Sequence, residues 1–367
     1  MTDQPKDTAD DVFARLANCA VLVVANYLKA EGPQTVAAVL LQQPSARAAD
    51  ILSLLPPDFR HEVLRRMVES RPLLPPAQAA LARIIERDLL TAAPIPPGRG
   101  EEVRQVIALL PPDQRDAALA GLDAPYIYHA VALVPYQPTP RVSRPPADVP
   151  QRVPFPESQP LRDETLPLLD VVYDSMIRRI NSSLRMLIGE NIEISLERVA
   201  RIGHASYMNT VPLPAVLSPF TAEGAGYGGI FVADPYLVYS LTAALLGGKC
   251  SYQAHNNEAY KRAFTSIERE LFGLALASMI DDLSAAFSEV TPVAFQLDRI
   301  ETDPRAALIA PLEETMLVSR IRVDMDNGGG RAELLMPLSF FDTRLDAFKQ
   351  RILPPGRNPR PRLVAGM

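Results

Sequence analysis

The chain is 367 residues long, enough for two or three domains with sizeable cores. Its 47% apolar and 22% charged residues are ordinary for a globular protein, and a net charge of −6 argues against the basic face of a nucleic-acid binder. The acidic N-terminus (Asp3, Asp7, Asp10, Asp11) lacks the positive region of a secretory signal, and the longest apolar runs, such as residues 19–25, fall short of a bilayer span.

Two cysteines, Cys19 and Cys250, lie in separate halves, which fits a reducing compartment without a disulfide framework. Proline is in excess, with 36 residues. In chain order, apolar helical runs at 21–28 and 36–41 flank Glu31, Gly32, Pro33, Gln34 and Thr35, where Gly-Pro breaks the helical pattern. Residues 51–64 read ILSLLPPDFRHEVL and residues 106–119 read VIALLPPDQRDAAL, an internal repeat. The pattern is helix, stop, helix. Pro56 and Pro57 end one helix for want of amide donors, and Pro57 with Asp58 starts the next. Ile51, Leu54 and Leu55, then Val63, Leu64 and Met67, then Leu81, Ile84, Ile85 and Leu89, place one apolar stripe on each helix. Such units bury their faces by stacking, so 12–135 is expected to be an all-α, armadillo-like helical repeat module.

Residues 136–161 form the expected linker. It carries Pro138, Pro140, Pro145, Pro146, Pro150, Pro154, Pro156 and Pro160, without helical or strand periodicity, and suits a polyproline spacer.

Residues 162–350 read as an α/β domain with an internal pseudo-repeat. Leu169, Val172, Tyr173, Met176, Ile180, Leu184 and Leu187 predict a helix over 165–188 that stops at Gly189. Alternation at Ile192, Ile194 and Leu196 predicts a strand, and Phe264, Ile267, Leu271 and Leu274 mark a second long helix over 258–284. Alternation at Ile321, Val323 and Met325, then Asn327-Gly328-Gly329-Gly330, predicts a hairpin. The glycine-rich stretch 224–229 precedes a strand-like run rather than a helix, so it reads as a turn and not a phosphate loop. Residues 351–367 are a basic, proline-bearing tail with Arg357, Arg360 and Arg362.

The segments ANYLKAEGPQTVAAVLL, AADILSLLPPDFRHEVLRRM and ALARIIERDLL resemble, in order, the middle domain of the flagellar motor-switch protein FliG, and 100–135 resembles the start of its following armadillo segment. In that family the motif at 31–34 is Glu-His-Pro-Gln and docks the switch protein FliM; here Gly32 replaces the His. The second half is similar to the middle domain of FliM, through NIEISLERV, HASYMNTVPLPAV, GYGGIFVADPYLVYSLTAALLGG, SIERELFGLALASMIDDLSAAF, ETDPRAALIAPLEETMLVSRIRV and NGGGRAELLMPLSFF. The FliM family receives FliG on a Gly-Gly-x-Gly loop. The matching residues here are Gly247, Gly248, Lys249 and Cys250, with Cys in the fourth place. Adjacent glycines permit close backbone approach, and Gly247 equally suits a helix C-cap; the cap does not exclude docking. FliG's membrane-ring and torque domains, and the FliM domain that joins FliN, are not recognisable. FliM's peptide for a phosphorylated response regulator is not recognisable at its usual place, although residues 9–16 bear a faint likeness to it.

FliM shares its fold with the CheC and CheX phosphatases, whose helix carries Asp/Ser-x-x-x-Glu-x-x-Asn. This chain offers Ser266, Glu270 and Gly273, or Asp170, Asp174 and Ile177, and lacks the amide that orients water. His61, His129, His204 and His255 stand alone, without metal-ligand spacing. The resemblances thus imply no enzyme, cofactor, metal site or transmembrane segment. They imply a scaffold of the flagellar switch, cytoplasmic and peripheral to the inner membrane at the basal body. Its partners are FliG-, FliM- or FliN-type proteins or copies of itself, with residues 31–35 meeting residues 247–250 within one chain or between neighbours. The alternative is a soluble module that binds switch subunits or a chemotaxis response regulator.

Overall fold

The computed structural model describes residues 8–91, 159–160, 166–224, 226–249, 262–326 and 328–342. The second repeat copy at 106–119, most of the proline-rich stretch, Cys250 and the basic tail lie outside the described residues. The chain forms two compact units, one of Met1–Arg152, Leu187–Glu190 and Val238–Leu274, the other of Val153–Met186, Asn191–Leu237 and Ala275–Met367.

The first unit contains α1 (Ala9–Ala17), α2 (Val21–Lys29), α3 (Pro33–Leu40), α4 (Ser45–Ser53), α5 (Pro57–Glu69) and α6 (Pro75–Ile85), which runs into a π-turn over Glu86–Leu90. Thr8 and Asp11 form a capping box that opens α1. Pro33, Pro57 and Pro75 each stand at the start of a helix. A missing amide costs nothing there, which accounts for part of the proline excess. Val12, Phe13, Leu16, Val24, Leu28, Val36, Leu40, Ile51, Val63, Leu81 and Ile85 are buried among these helices. The stripe expected on α5 is incomplete: Val63 is buried, but Leu64 is exposed, as is Val68 one turn on.

The second unit holds a seven-stranded sheet of β1 (Gln159–Pro160), β2 (Ile192–Gly203), β3 (Val216–Ala222), β4 (Gly226–Ala233), β5 (Phe295–Leu297), β6 (Thr315–Met325) and β7 (Gly328–Pro337). Every pair is antiparallel, in the order β1-β2-β6-β7-β4-β3-β5. Leaving β1 aside, exchanging β2 with β5, β3 with β6 and β4 with β7 returns the same order reversed. That palindrome is the pseudo-repeat expected from sequence. Helices α7 (Leu166–Ile188), α8 (His204–Met208), α9 (Pro235–Leu245), α10 (Ser266–Ser288) and α11 (Leu338–Asp342) complete the described elements.

One sheet face packs on α7, where the Tyr173 hydroxyl meets Ser319 Oγ of β6 at 2.6 Å. On the opposite face Tyr207, Met208, Leu217, Ile230, Met316, Val318 and Leu335 form a buried cluster. Glu333, 1% exposed, lies on that second face. It accepts from the Tyr207 hydroxyl at 2.6 Å and from Arg320 Nε at 2.7 Å.

Three expectations change. The second long helix begins at Ser266 rather than 258 and runs to Ser288. Its start is set by a capping box: Thr265 N donates to Glu268 Oε2 at 2.9 Å and Glu268 N to Thr265 Oγ1 at 3.2 Å. The glycine-rich stretch turns at Gly224, and Gly226 onward is strand β4. A Cβ on Gly228 or Gly229 would run into the Phe220 ring, so these glycines answer a shortage of space. The β6–β7 hairpin exists, but Gly328, Gly329 and Gly330 belong to β7, because Met325 pairs with Gly328. Helix α10 has the length and hydropathy of a bilayer span. Its Ile267, Leu271, Phe272, Leu276, Met279, Ile280 and Leu283 are buried by protein, as in a core helix.

Candidate docking interface

Residues 31–35 occupy the junction between α2 and α3, and within the first unit they meet the turn that closes α9. Gly247 has φ 71°, and the Gly247 and Gly248 amides donate to Ala244 O at 3.0 Å and Ala243 O at 2.9 Å. This is the glycine C-cap anticipated from sequence. The Gln34 amide donates from Nε2 to Leu246 O at 3.1 Å and to Ser70 Oγ at 2.9 Å. A Cβ on Gly248 would coincide with the Gln34 side-chain amide, and one on Gly247 would strike the Arg71 carbonyl oxygen.

Arg71, which the sequence did not single out, spans two helix ends. Its amide donates to Gly247 O at 2.7 Å. Its guanidinium donates to Gly189 O, just past α7, at 2.9 Å and to Glu190 Oε1 at 2.6 Å. Cationic donors at helix C-termini meet unsatisfied carbonyls and the negative end of the dipole. Arg66 Nη1 donates to Lys249 O at 2.6 Å, while Lys249 itself is exposed.

Glu31 is 7% exposed, and among the described residues its Oε2 has no hydrogen-bond partner. Burial raises its pKa from 4.5 to about 7, with Glu268 and Asp88 adding to the rise and Thr265 and Arg262 opposing it. Arg262 donates to Glu268 Oε2 at 2.9 Å and lies over the Tyr239 ring, 5.1 Å from its centre. Gly32 has φ −71°, open to any residue, and a Cβ there would lie 3.3 Å from Arg262 Nη2 and 3.4 Å from Glu268 Oε1. Pro33 opens α3, and Thr35 is buried within it. At the margin Ser266 Oγ donates to Asp88 Oδ2 at 2.9 Å and Arg87 pairs with Glu270 at 2.5 Å. The two phosphatase-pattern positions, Ser266 and Glu270, are thus engaged by side chains of the helical segment.

Gln34, Gly247 and Gly248 are brought together; Glu31 and Gly32 meet a different set, Arg262, Thr265 and Glu268. Arg71, Arg262 and Asp88 carry no motif of their own. For Glu268 a signal existed, the Thr265-x-x-Glu268 capping box. Among the described residues no group of three or more His, Cys, Asp or Glu side chains is gathered for a metal ion.

The geometry is a contact within the first unit, in which helix-end carbonyls and glycines receive polar side chains of the helical segment. Comparison with known proteins agrees with both resemblances. The model of the flagellar motor switch protein FliM matches residues 162–353, and that of the FliG middle domain matches residues 22–93. The chain is 40% identical over 174 residues to FliM of Caulobacter vibrioides, covering 47% of this chain and 46% of that one. It is 34% identical over 114 residues to FliG of Rhizobium meliloti, covering 30% of this chain and 33% of that one. A chain of the crystal structure of a FliG-FliM complex from H. pylori aligns with a TM-score of 0.44 and 21% identity, over 48% of this chain and 95% of that one. The chain belongs to the FliM family of flagellar motor switch proteins, and a segment matching the FliG middle domain precedes the FliM match. It spans about half the length of the Caulobacter vibrioides FliM relatives that it matches.

Proposed function

We propose that this chain is a scaffold of the bacterial flagellar switch, acting by docking of its FliG-like module on its FliM-like domain and not by catalysis. Its place is the cytoplasmic ring of the basal body, peripheral to the inner membrane, among FliG-, FliM- and FliN-type proteins. The docking residues are Glu31, Gly32, Pro33, Gln34 and Thr35 on one side and Gly247, Gly248, Lys249 and Cys250 on the other. The observation that carries this reading is the seat of Gln34, whose amide reaches Leu246 O and fills the space above Gly248. A carbonyl left open at a helix end and a glycine without a side chain make a receptor for an amide donor.

The test is purification of basal bodies from the native host carrying a tagged copy, with Gly248→Arg alongside. Wild-type protein should travel with the cytoplasmic ring, and Gly248→Arg should lose that association. A diffuse signal absent from basal bodies would overturn the scaffold reading in favour of a soluble regulator. Unchanged association of Gly248→Arg would remove residues 247–250 from the interface.

A further inference from the structure

Gly32 is puzzling by backbone criteria. With φ −71° and ψ 154°, it has a conformation that any residue adopts, so glycine is not there for its flexibility. The cause lies opposite it. A Cβ would sit 3.3 Å from Arg262 Nη2 and 3.4 Å from Glu268 Oε1, already in tight contact, so atoms beyond Cβ fit only if that pair gives way.

The pair is held by several contacts. Arg262 donates to Glu268 Oε2 at 2.9 Å and to Ala263 O at 3.0 Å, and its guanidinium is stacked over Tyr239. Glu268 is 4% exposed and is committed to the capping box that starts α10. Moving either group would break the cap, the ion pair or the stacking contact. What faces Gly32 is therefore a wall made by a buried glutamate and a half-buried arginine that are bonded to each other.

We propose that Gly32 and the Arg262–Glu268 pair form a size filter, so that the C-terminal half of this chain seats its own glycine-bearing module and rejects a module with a bulky side chain at that position. This rests on the docking reading above and adds partner choice to it. The filter works by exclusion, the usual means by which closely similar partners are kept apart. Where such partners meet in one cell, it keeps this chain's contact to itself.

The experiment uses the full chain with a protease site placed at residues 144–146. After cleavage, the two parts are run on size exclusion. Wild-type parts should co-elute. Gly32→His should reduce the co-eluting fraction by about tenfold or more, in line with overpacking a tight contact. Gly32→His combined with Arg262→Ala should recover most of it, because the second change removes the wall. Circular dichroism and a thermal melt before cleavage establish that each variant is folded. Co-elution of Gly32→His parts at the wild-type level, or no recovery in the double variant, would overturn the filter and leave docking intact. Separation of the wild-type parts themselves would instead overturn the docking reading.

Discussion

Two buried glutamates distinguish the sheet unit from the contact at residues 31–35. Glu333 has a partner for each carboxylate oxygen, Arg320 for one and Tyr207 for the other. Glu31 is almost as buried, yet its Oε2 has no partner among the described residues and its neighbours include two further carboxylates. An unsatisfied buried acceptor forfeits its hydration without replacement, whereas a fully bonded one does not. The sheet core is thus built to persist. The contact at Glu31 carries an internal penalty and is built nearer to balance.

The comparison breaks most visibly at Glu333. Glu333→Ala removes the buried carboxylate that Arg320 and Tyr207 share at the sheet face and should cost about 3 kcal/mol in denaturant unfolding of the sheet unit. A loss below about 1 kcal/mol would mean that water reaches this site freely. Glu31→Gln should act in the opposite direction and only at higher pH. The folded pKa of about 7 exceeds the ordinary 4.5, so the folded form holds more protons across that window. The contact is strongest below pH 4.5 and weakens as pH rises through 7. Removing the charge should flatten this slope and strengthen the contact at pH 8 by on the order of 2 kcal/mol, read by amide exchange at Gly248. An unchanged slope would show that Glu31 is not the titrating group.

Arg71→Ala removes donors to Gly189 O and Glu190 and should weaken the contact by about 1–2 kcal/mol, since the side chain is partly exposed. Arg65→Ala supplies the contrast. Among the described residues Arg65 pairs with Glu62 and Glu69 along the surface of α5, and its loss should cost about 0.5 kcal/mol or less. If the two arginines behaved alike, Arg71 would be a surface residue in effect as well.

The helices of the first unit and the alternation of β2 and β6 were legible because both depend on local period. Sheet order was not, since β4 meets β7 across about a hundred residues of chain and no local pattern records it. The strand at Gly226–Ala233 hid behind its glycines, which carry no period and mimic a turn; Gly228 and Gly229 make room for the Phe220 and Phe295 rings and the Leu335 carbonyl, which belong to other strands. At the site, Gln34, Gly247 and Gly248 were found through family likeness rather than chemistry. Arg71 and Arg262 were invisible because a lone arginine acquires a role only when folding brings helix ends or a carboxylate to it.

Gln34 and Leu246, 212 residues apart, are parts of one polypeptide. A contact between separate chains empties on dilution and requires the two proteins to be made in matched amounts. One whose halves leave the ribosome together has fixed one-to-one stoichiometry and an occupancy independent of protein concentration. Glu31 can therefore afford an unsatisfied oxygen: the effective concentration of its partner does not fall when the cell makes only a few copies.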